Sequence, residues 1–141
     1  MKNFLTFLSD IYIDFILIGI LLVVTLKEAN RDILHVLGLV VTIPSLVLWA
    51  LARIQLGTSF SFWPEAKGLI TRGLYSKIRH PIYVFSTLAF LGIALMLNNI
   101  YFYAFWIGLL LVEIYRARRE EQLLIEKFGQ AYLDYRKQTW F

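Results

Sequence analysis

Cysteine is absent from the 141 residues. That excludes disulfides, a thiolate metal site and a cysteine nucleophile, and it leaves the redox compartment unread. Histidine is scarce, with only His35 and His80, and no His/Asp/Glu group has the spacing of a metal site, so no metal is expected. There is no Gly-x-Ser-x-Gly nucleophile elbow. There is no Gly-x-Gly-x-x-Gly after a strand, which excludes a Rossmann cofactor site. Internal repeats and low-complexity segments are missing as well. The first apolar run carries Asp10 and Asp14, has no strongly basic leader and no small-residue cleavage site after it. A cleavable signal is therefore not expected. Charged residues make up only 17% of the chain, too little polar surface for a soluble domain of this size.

What the chain has is apolar. Hydrophobic residues are 59% of it, and the mean hydropathy is +0.64. These values predict a single-domain integral membrane protein. A hydrocarbon core of about 30 Å needs about 20 helical residues, fewer where the bilayer thins. Four runs meet or approach that length: Ile11 to Leu26, Ile33 to Ala52, Ile82 to Leu97 and Ile100 to Tyr115. Pro44 is expected to kink the second. Asn98-Asn99 is the sole polar punctuation between the last two, so they should form a tight helical hairpin. Beyond the fourth run, Leu123, Leu124 and Phe128 make one apolar stripe opposite a charged face. This predicts an amphipathic helix continuing the fourth span, ending at Gly129, with a short helix through Tyr132 and Tyr135 after it. The expected fold is an all-α integral membrane protein with four transmembrane helices and a C-terminal amphipathic helical segment. Residues 1–56 hold two N-terminal spans and residues 57–141 the remainder.

Net charge is +4, and the basic residues stand beside apolar runs. That arrangement suits anionic lipid headgroups and not nucleic acid. Four spans put both termini and the middle loop on one side. That side carries Lys2, Arg53, Lys67, Arg72, Lys77, Arg79 and the basic C-terminal segment. The opposite side carries Lys27 and Arg31, offset by Glu28 and Asp32. The asymmetry predicts cytoplasmic termini and a cytoplasmic loop, with His35 and His80 on opposite sides.

The loop from Arg53 to His80 is longer than a connector requires, and such loops usually carry function. It ends in "KIRHPIY". Pro81 suits the first turn of a helix, and basic flanks are expected at a membrane boundary. Cations at a helix N-terminus nevertheless oppose the macrodipole. An anion bound there would meet both free N–H groups and Arg79. Farther on, "RARREEQ" reads as a solvated charged face, but Glu113 lies one turn earlier, inside the apolar limit. An acid there needs a partner or a cavity, and Arg116 at i+3 is a plausible one. Asp14 reads as structural, near enough to its span end to reach water. Arg116 and Glu120 share a helix face. Trp49, Phe60, Phe62, Trp63, Tyr75 and Tyr83 fit interface belts, or in part a cage for a purine or a sulfonium.

Together, "GLITRGLYSKIRHPIY", the helical hairpin and "RARREEQLLIEKFGQAYLDY" resemble the isoprenylcysteine carboxyl methyltransferase family, and more distantly the membrane phospholipid methyltransferases. The resemblance covers roughly Gly57 to Tyr135. It implies a membrane enzyme that uses S-adenosylmethionine, releases S-adenosylhomocysteine, and methylates a lipophilic or lipidated acceptor. It implies a cofactor pocket of Lys67, Gly68, Leu69, Ile70 and Tyr75, then His80, Pro81, Ile82 and Tyr83, with Glu120. It implies that Arg116 is the catalytic, substrate-binding residue and addresses an acceptor carboxylate. A carboxylate is already ionised near neutral pH and needs no base. An amine acceptor would need one, and Glu121 would be the nearest. The chain departs from the family pattern at Phe85, where glycine is often found; altered helix packing or an altered lipid-side entrance is expected. Two rival readings remain at this level: a membrane NADPH-dependent sterol-type reductase, and a non-enzymatic interfacial lipid-binding protein. The topology has a direct test on this cysteine-free background. Lys67→Cys should react with an impermeant maleimide only after the cells are opened; labelling in intact cells would reject the orientation.

Overall fold

The computed structural model describes residues 32–57 and 69–141, together with 19 and 23. The expected first span, Asp14, the loop aromatics Phe60, Phe62 and Trp63, and the cofactor candidates Lys67 and Gly68 lie outside the described residues. The described residues form α-helices and one short 3-10 turn. Helix α1 is Ile33–Leu56, the 3-10 turn is Gly73–Ser76, α2 is Pro81–Leu97, α3 is Ile100–Phe128 and α4 is Gln130–Gln138. One isolated parallel bridge joins Ile78 and Trp140.

Local chemistry sets the ends. Asp32 caps α1 by accepting a hydrogen bond from the His35 N–H at 2.9 Å. Pro81 opens α2 at its first position, where a missing N–H is harmless. Asn98 takes a left-handed conformation (φ 44) to stop α2. Asn99 then caps α3 by accepting from the Tyr101 N–H at 2.9 Å. Those two residues make the hairpin, as their polarity between two apolar runs suggested. Gly129, at φ 52, ends α3 and turns the chain into α4. The helix α1 continues through Pro44 as one element. Next to the proline, the Ser45 hydroxyl donates to the Val41 carbonyl at 2.7 Å.

Helix α1 packs antiparallel on α2, and two glycines set their spacing. A Cβ at Gly38 would lie 2.5 Å from the Gly92 carbonyl oxygen, and one at Gly92 would lie 2.7 Å from the Gly38 carbonyl oxygen. The Thr42 hydroxyl reaches across to the Ala89 carbonyl at 3.4 Å. Close backbone approach through small residues is the usual packing of helices in lipid, where burial of apolar surface gives no driving force. Nearer the α2 start, Trp49, Ala52, Tyr75, Ile82 and Phe85 form a buried cluster. Phe85 therefore fills the α1–α2 seam. Helix α3 returns along α2, with Phe90 and Phe105 edge to face and the Trp106 indole donating to the Thr87 carbonyl at 3.0 Å.

Helices α1 and α3 are long and apolar enough to cross a membrane, and α2 is a shorter apolar helix of 17 residues. Only 22% and 11% of the apolar windows of α1 and α3 are buried. Core helices of a soluble domain would be mostly buried, so these faces suit lipid. The glycine seam carries a prediction. Gly92→Val should lower thermal stability in detergent by about 1–3 kcal/mol, the usual cost of overpacking. An unchanged melting midpoint would show that α1 and α2 can separate freely there.

Candidate functional site

The site lies where α1 ends, α2 begins and α3 passes its midpoint. Its base is the segment between the 3-10 turn and α2. The Leu74 N–H donates to the Gln55 side chain of α1 at 2.8 Å. Tyr75 is buried, and its carbonyl accepts a hydrogen bond from the Tyr135 hydroxyl of α4. The chain end then runs beside residues 77–80. The Trp140 N–H donates to the Lys77 carbonyl at 3.0 Å, and the Phe141 carbonyl accepts from the Arg79 N–H at 2.6 Å. Residues 139–141 thus strap the approach to α2.

His80 sits at the α2 N-cap with 6% exposure. Its ring stacks on Tyr83 at 5.6 Å and meets Phe141 edge-on. Glu120 and Glu121 face it from α3. The Glu120 carboxylate is 3.7 Å from His80 Nδ1, and the Glu121 carboxylate is 3.7 Å from Nε2. Burial opposes a charge on the imidazole, but the two carboxylates outweigh it and raise the His80 pKa above 6.5. Burial is also the main reason that the Tyr75 hydroxyl is pushed well above the ordinary tyrosine range.

Glu120 accepts a hydrogen bond from the Tyr83 hydroxyl at 3.0 Å. The Arg116 guanidinium lies over the Tyr83 ring, 5.1 Å from its centre, a cation–π contact. Arg116 also pairs with Glu113 at 3.6 Å. His80 and Tyr83 at the start of α2 and Arg116 and Glu120 on α3 are therefore one connected group. Pro81 and Ile82 are buried beside it. Leu69 packs against Leu124, Tyr132 and Tyr135, while Ile70 packs against the Trp49–Phe85 cluster. These two candidates flank the site as apolar walls.

Sequence reasoning missed three features. Glu121 is held by Arg79 at 3.0 Å, His80 at 3.7 Å and Arg136 of α4 at 3.9 Å. A carboxylate facing three cationic groups is a poor proton acceptor, so Glu121 does not suit the role of base. The same contact relieves the conflict between Arg79 and the α2 macrodipole with an anion of the protein's own. Arg53, counted above as a loop-side charge, is 2% exposed; its charge lies in the protein interior at the end of α1. The strap of residues 139–141 had no signal beyond the aromatic pair Trp140-Phe141.

A family model described as phospholipid methyltransferase matches residues 32–131. The Protein-S-isoprenylcysteine O-methyltransferase of Schizosaccharomyces pombe is 34% identical over 95 residues, 62% of this chain and 40% of that protein. The solved structure of the eukaryotic intramembrane Ras methyltransferase ICMT (isoprenylcysteine carboxyl methyltransferase) aligns with a TM-score of 0.62 at 30% identity, over 75% of this chain and 40% of that one. The chain thus spans about two-fifths of the length of both relatives.

The His80 cluster predicts a pH dependence. A raised folded pKa adds stability that is complete below about 6.5 and is lost as pH rises through the shifted value. In histidine-labelled protein, NMR titration should place His80 above 6.5, and Glu121→Gln should lower it. A wild-type value at or below 6.5 would contradict the two-carboxylate contact.

Proposed function

The chain belongs to the phospholipid methyltransferase family, and we propose that it is a membrane enzyme transferring a methyl group from S-adenosylmethionine to a lipophilic acceptor. The observation that carries this is the convergence of His80, Tyr83, Arg116 and Glu120 at one end of a helical hairpin whose outer faces suit lipid. S-adenosylmethionine supplies, when bound, an electrophilic methyl on a sulfonium. The residues fit such a group. Glu120 is an anion for the ammonium of its amino-acid head, oriented by the Tyr83 hydroxyl. The N–H groups in the first turn of α2 suit its carboxylate. Tyr83, held between Arg116 and the His80 ring, forms one wall, and Tyr75, Leu69, Ile70, Pro81 and Ile82 form the others. Lys67 and Gly68 complete the proposed pocket, and S-adenosylhomocysteine is the product.

Arg116 then holds the acceptor's anionic group. A carboxylate is the acceptor we favour, on an isoprenylcysteine-like or other lipidic molecule. The guanidinium fork fits a carboxylate in two parallel contacts. No base is required, because the nucleophile is already charged. Catalysis is then orientation and exclusion of water beside the Tyr83 ring. The proposed topology keeps both termini and the site on the cytoplasmic side, with four spans in all. The acceptor would enter sideways between helices.

Two variants test this reading. Losing one partner of a buried charged contact typically costs about 2–5 kcal/mol. Glu120→Gln should therefore weaken S-adenosylmethionine binding by more than about tenfold in calorimetry. Arg116→Lys should keep that affinity yet lose most methyl transfer, because lysine lacks the planar fork. Unchanged cofactor affinity in the first variant removes Glu120 from the pocket. Wild-type turnover in the second reduces Arg116 to a membrane anchor.

A further inference from the structure

Residues 139–141 lie across the segment that leads into α2, yet their two aromatic side chains bury little. The Trp140 N–H donates to the Lys77 carbonyl, and the Phe141 carbonyl accepts from the N–H groups of Arg79 and His80 at 2.6 and 3.3 Å. Thr139 ties the same residues to α4, donating its hydroxyl to the Tyr135 carbonyl at 3.0 Å. The Phe141 ring meets His80 only edge-on and is half exposed. Trp140 is 70% exposed. Backbone hydrogen bonds therefore hold the strap while its largest apolar surface faces outward. Ordering three residues costs about as much entropy as a few half-exposed hydrogen bonds return. The strap thus gains little from side-chain burial inside the protein.

Two observations say what covers the indole. The first is its level. Helix α2 is apolar from Pro81 onward, and residues 77–80 immediately precede it. Ile54, exposed on the lipid-suited α1, stands next to Gln55, whose side chain holds the Leu74 N–H at 2.8 Å. The lipid-facing surface therefore reaches the 3-10 turn, and the strap runs at the height of the headgroups. The second is charge. Lys77, whose carbonyl Trp140 bonds, is exposed, as are Arg136 and Lys137, which lead into the strap. Asp134 offsets one of these cations, pairing with Lys137 at 3.1 Å.

We propose that residues 139–141 are an interfacial latch, with Trp140 seated in the headgroup layer of an anionic membrane. An indole, with an apolar body and one N–H, suits that layer. The cations add attraction to anionic lipid. Seated there, Trp140 holds the strap on residues 77–80 and keeps the Phe141 ring against His80. The inference does not rest on the methyl-transfer reading. On that reading, the membrane sets how readily the pocket opens at His80.

The test uses the full chain in nanodiscs of phosphatidylcholine, with and without phosphatidylglycerol. Trp49, Trp63 and Trp106 also emit, so the Trp140 signal is wild type minus Trp140→Phe. Phosphatidylcholine brominated near the glycerol backbone should quench that signal in the anionic discs, and about twofold less without phosphatidylglycerol. Lys77→Gln combined with Lys137→Gln should remove the effect of anionic lipid. Hydrogen exchange of the Arg79 and His80 amides reads the latch itself. In anionic discs, Trp140→Gln should speed it by about fivefold or more, and Trp140→Tyr should restore much of the protection. A strap that only packs on its own chain would not respond to lipid charge. A Trp140 signal that bromine leaves unquenched would overturn the inference, and acrylamide would then show whether water or a second chain covers the indole. Equal quenching with and without anionic lipid, or unchanged exchange in Trp140→Gln, would overturn it as well.

Discussion

The site depends on one ionic contact, the acidic turn of α3 set against the cationic start of α2. Arg79 and His80 are placed where a helix dipole disfavours positive charge, and His80 is also buried. Neither would be stable there alone. Glu120 and Glu121 supply the opposing charge from a helix that leaves α2 at Asn98–Asn99 and returns beside it. The hairpin must close in the right register for that to happen, since a shift of one residue rotates both carboxylates away. Arg136 adds a third cation to Glu121, so α4 is drawn onto the same point. The strap of residues 139–141 follows, because α4 delivers it beside Lys77 and Arg79.

Polar order at one end contrasts with the plain packing of the rest. Away from the site, α1 and α2 touch through Gly38 and Gly92, and α3 meets α2 through Phe90, Phe105 and Trp106. In lipid, apolar side chains gain little from facing one another, so close backbone contact and cross-helix hydrogen bonds must hold helices together. The Thr42 to Ala89 bond serves that purpose. A rigid hairpin frame matters for the site, because side chains on helices keep their relative positions better than side chains on loops.

Much of this frame was legible in the chain. Apolar runs gave α1, α2 and the first half of α3, with α1 extending to Leu56, because run length is a strong signal in a membrane protein. Asn98, Asn99 and Gly129 marked the turns through their own conformational preferences. Arg116, Glu120, His80 and Tyr83 were visible as a motif, and their contacts bring them together. Other parts were not readable. The burial of Arg53 depends on how α1 meets the 3-10 turn, which no local pattern encodes. Glu121 read as the nearest base for an amine acceptor; its neighbours Arg79 and Arg136 arrive from other elements. The Tyr135 to Tyr75 contact spans 60 residues and needs the turn at Gly129 to exist first.

The order of contacts also has a consequence for how the two ends of the site communicate. Glu113 touches Arg116, Arg116 lies on Tyr83, Tyr83 donates to Glu120, and Glu120 faces His80. On the proposed reading, the acceptor engages the first half of this series and the cofactor the second. Tyr83 belongs to both, with its ring under the arginine and its hydroxyl on the glutamate. A displacement of the Tyr83 ring would therefore be felt on both sides, by the arginine over its face and by the glutamate at its hydroxyl. Such coupling needs no moving domain. It needs only that one aromatic residue be shared between partly buried charged neighbours. Methyl transfer would benefit from that arrangement, because the two reactants must be aligned along a single line, and one rigid ring held from both sides fixes the alignment for each.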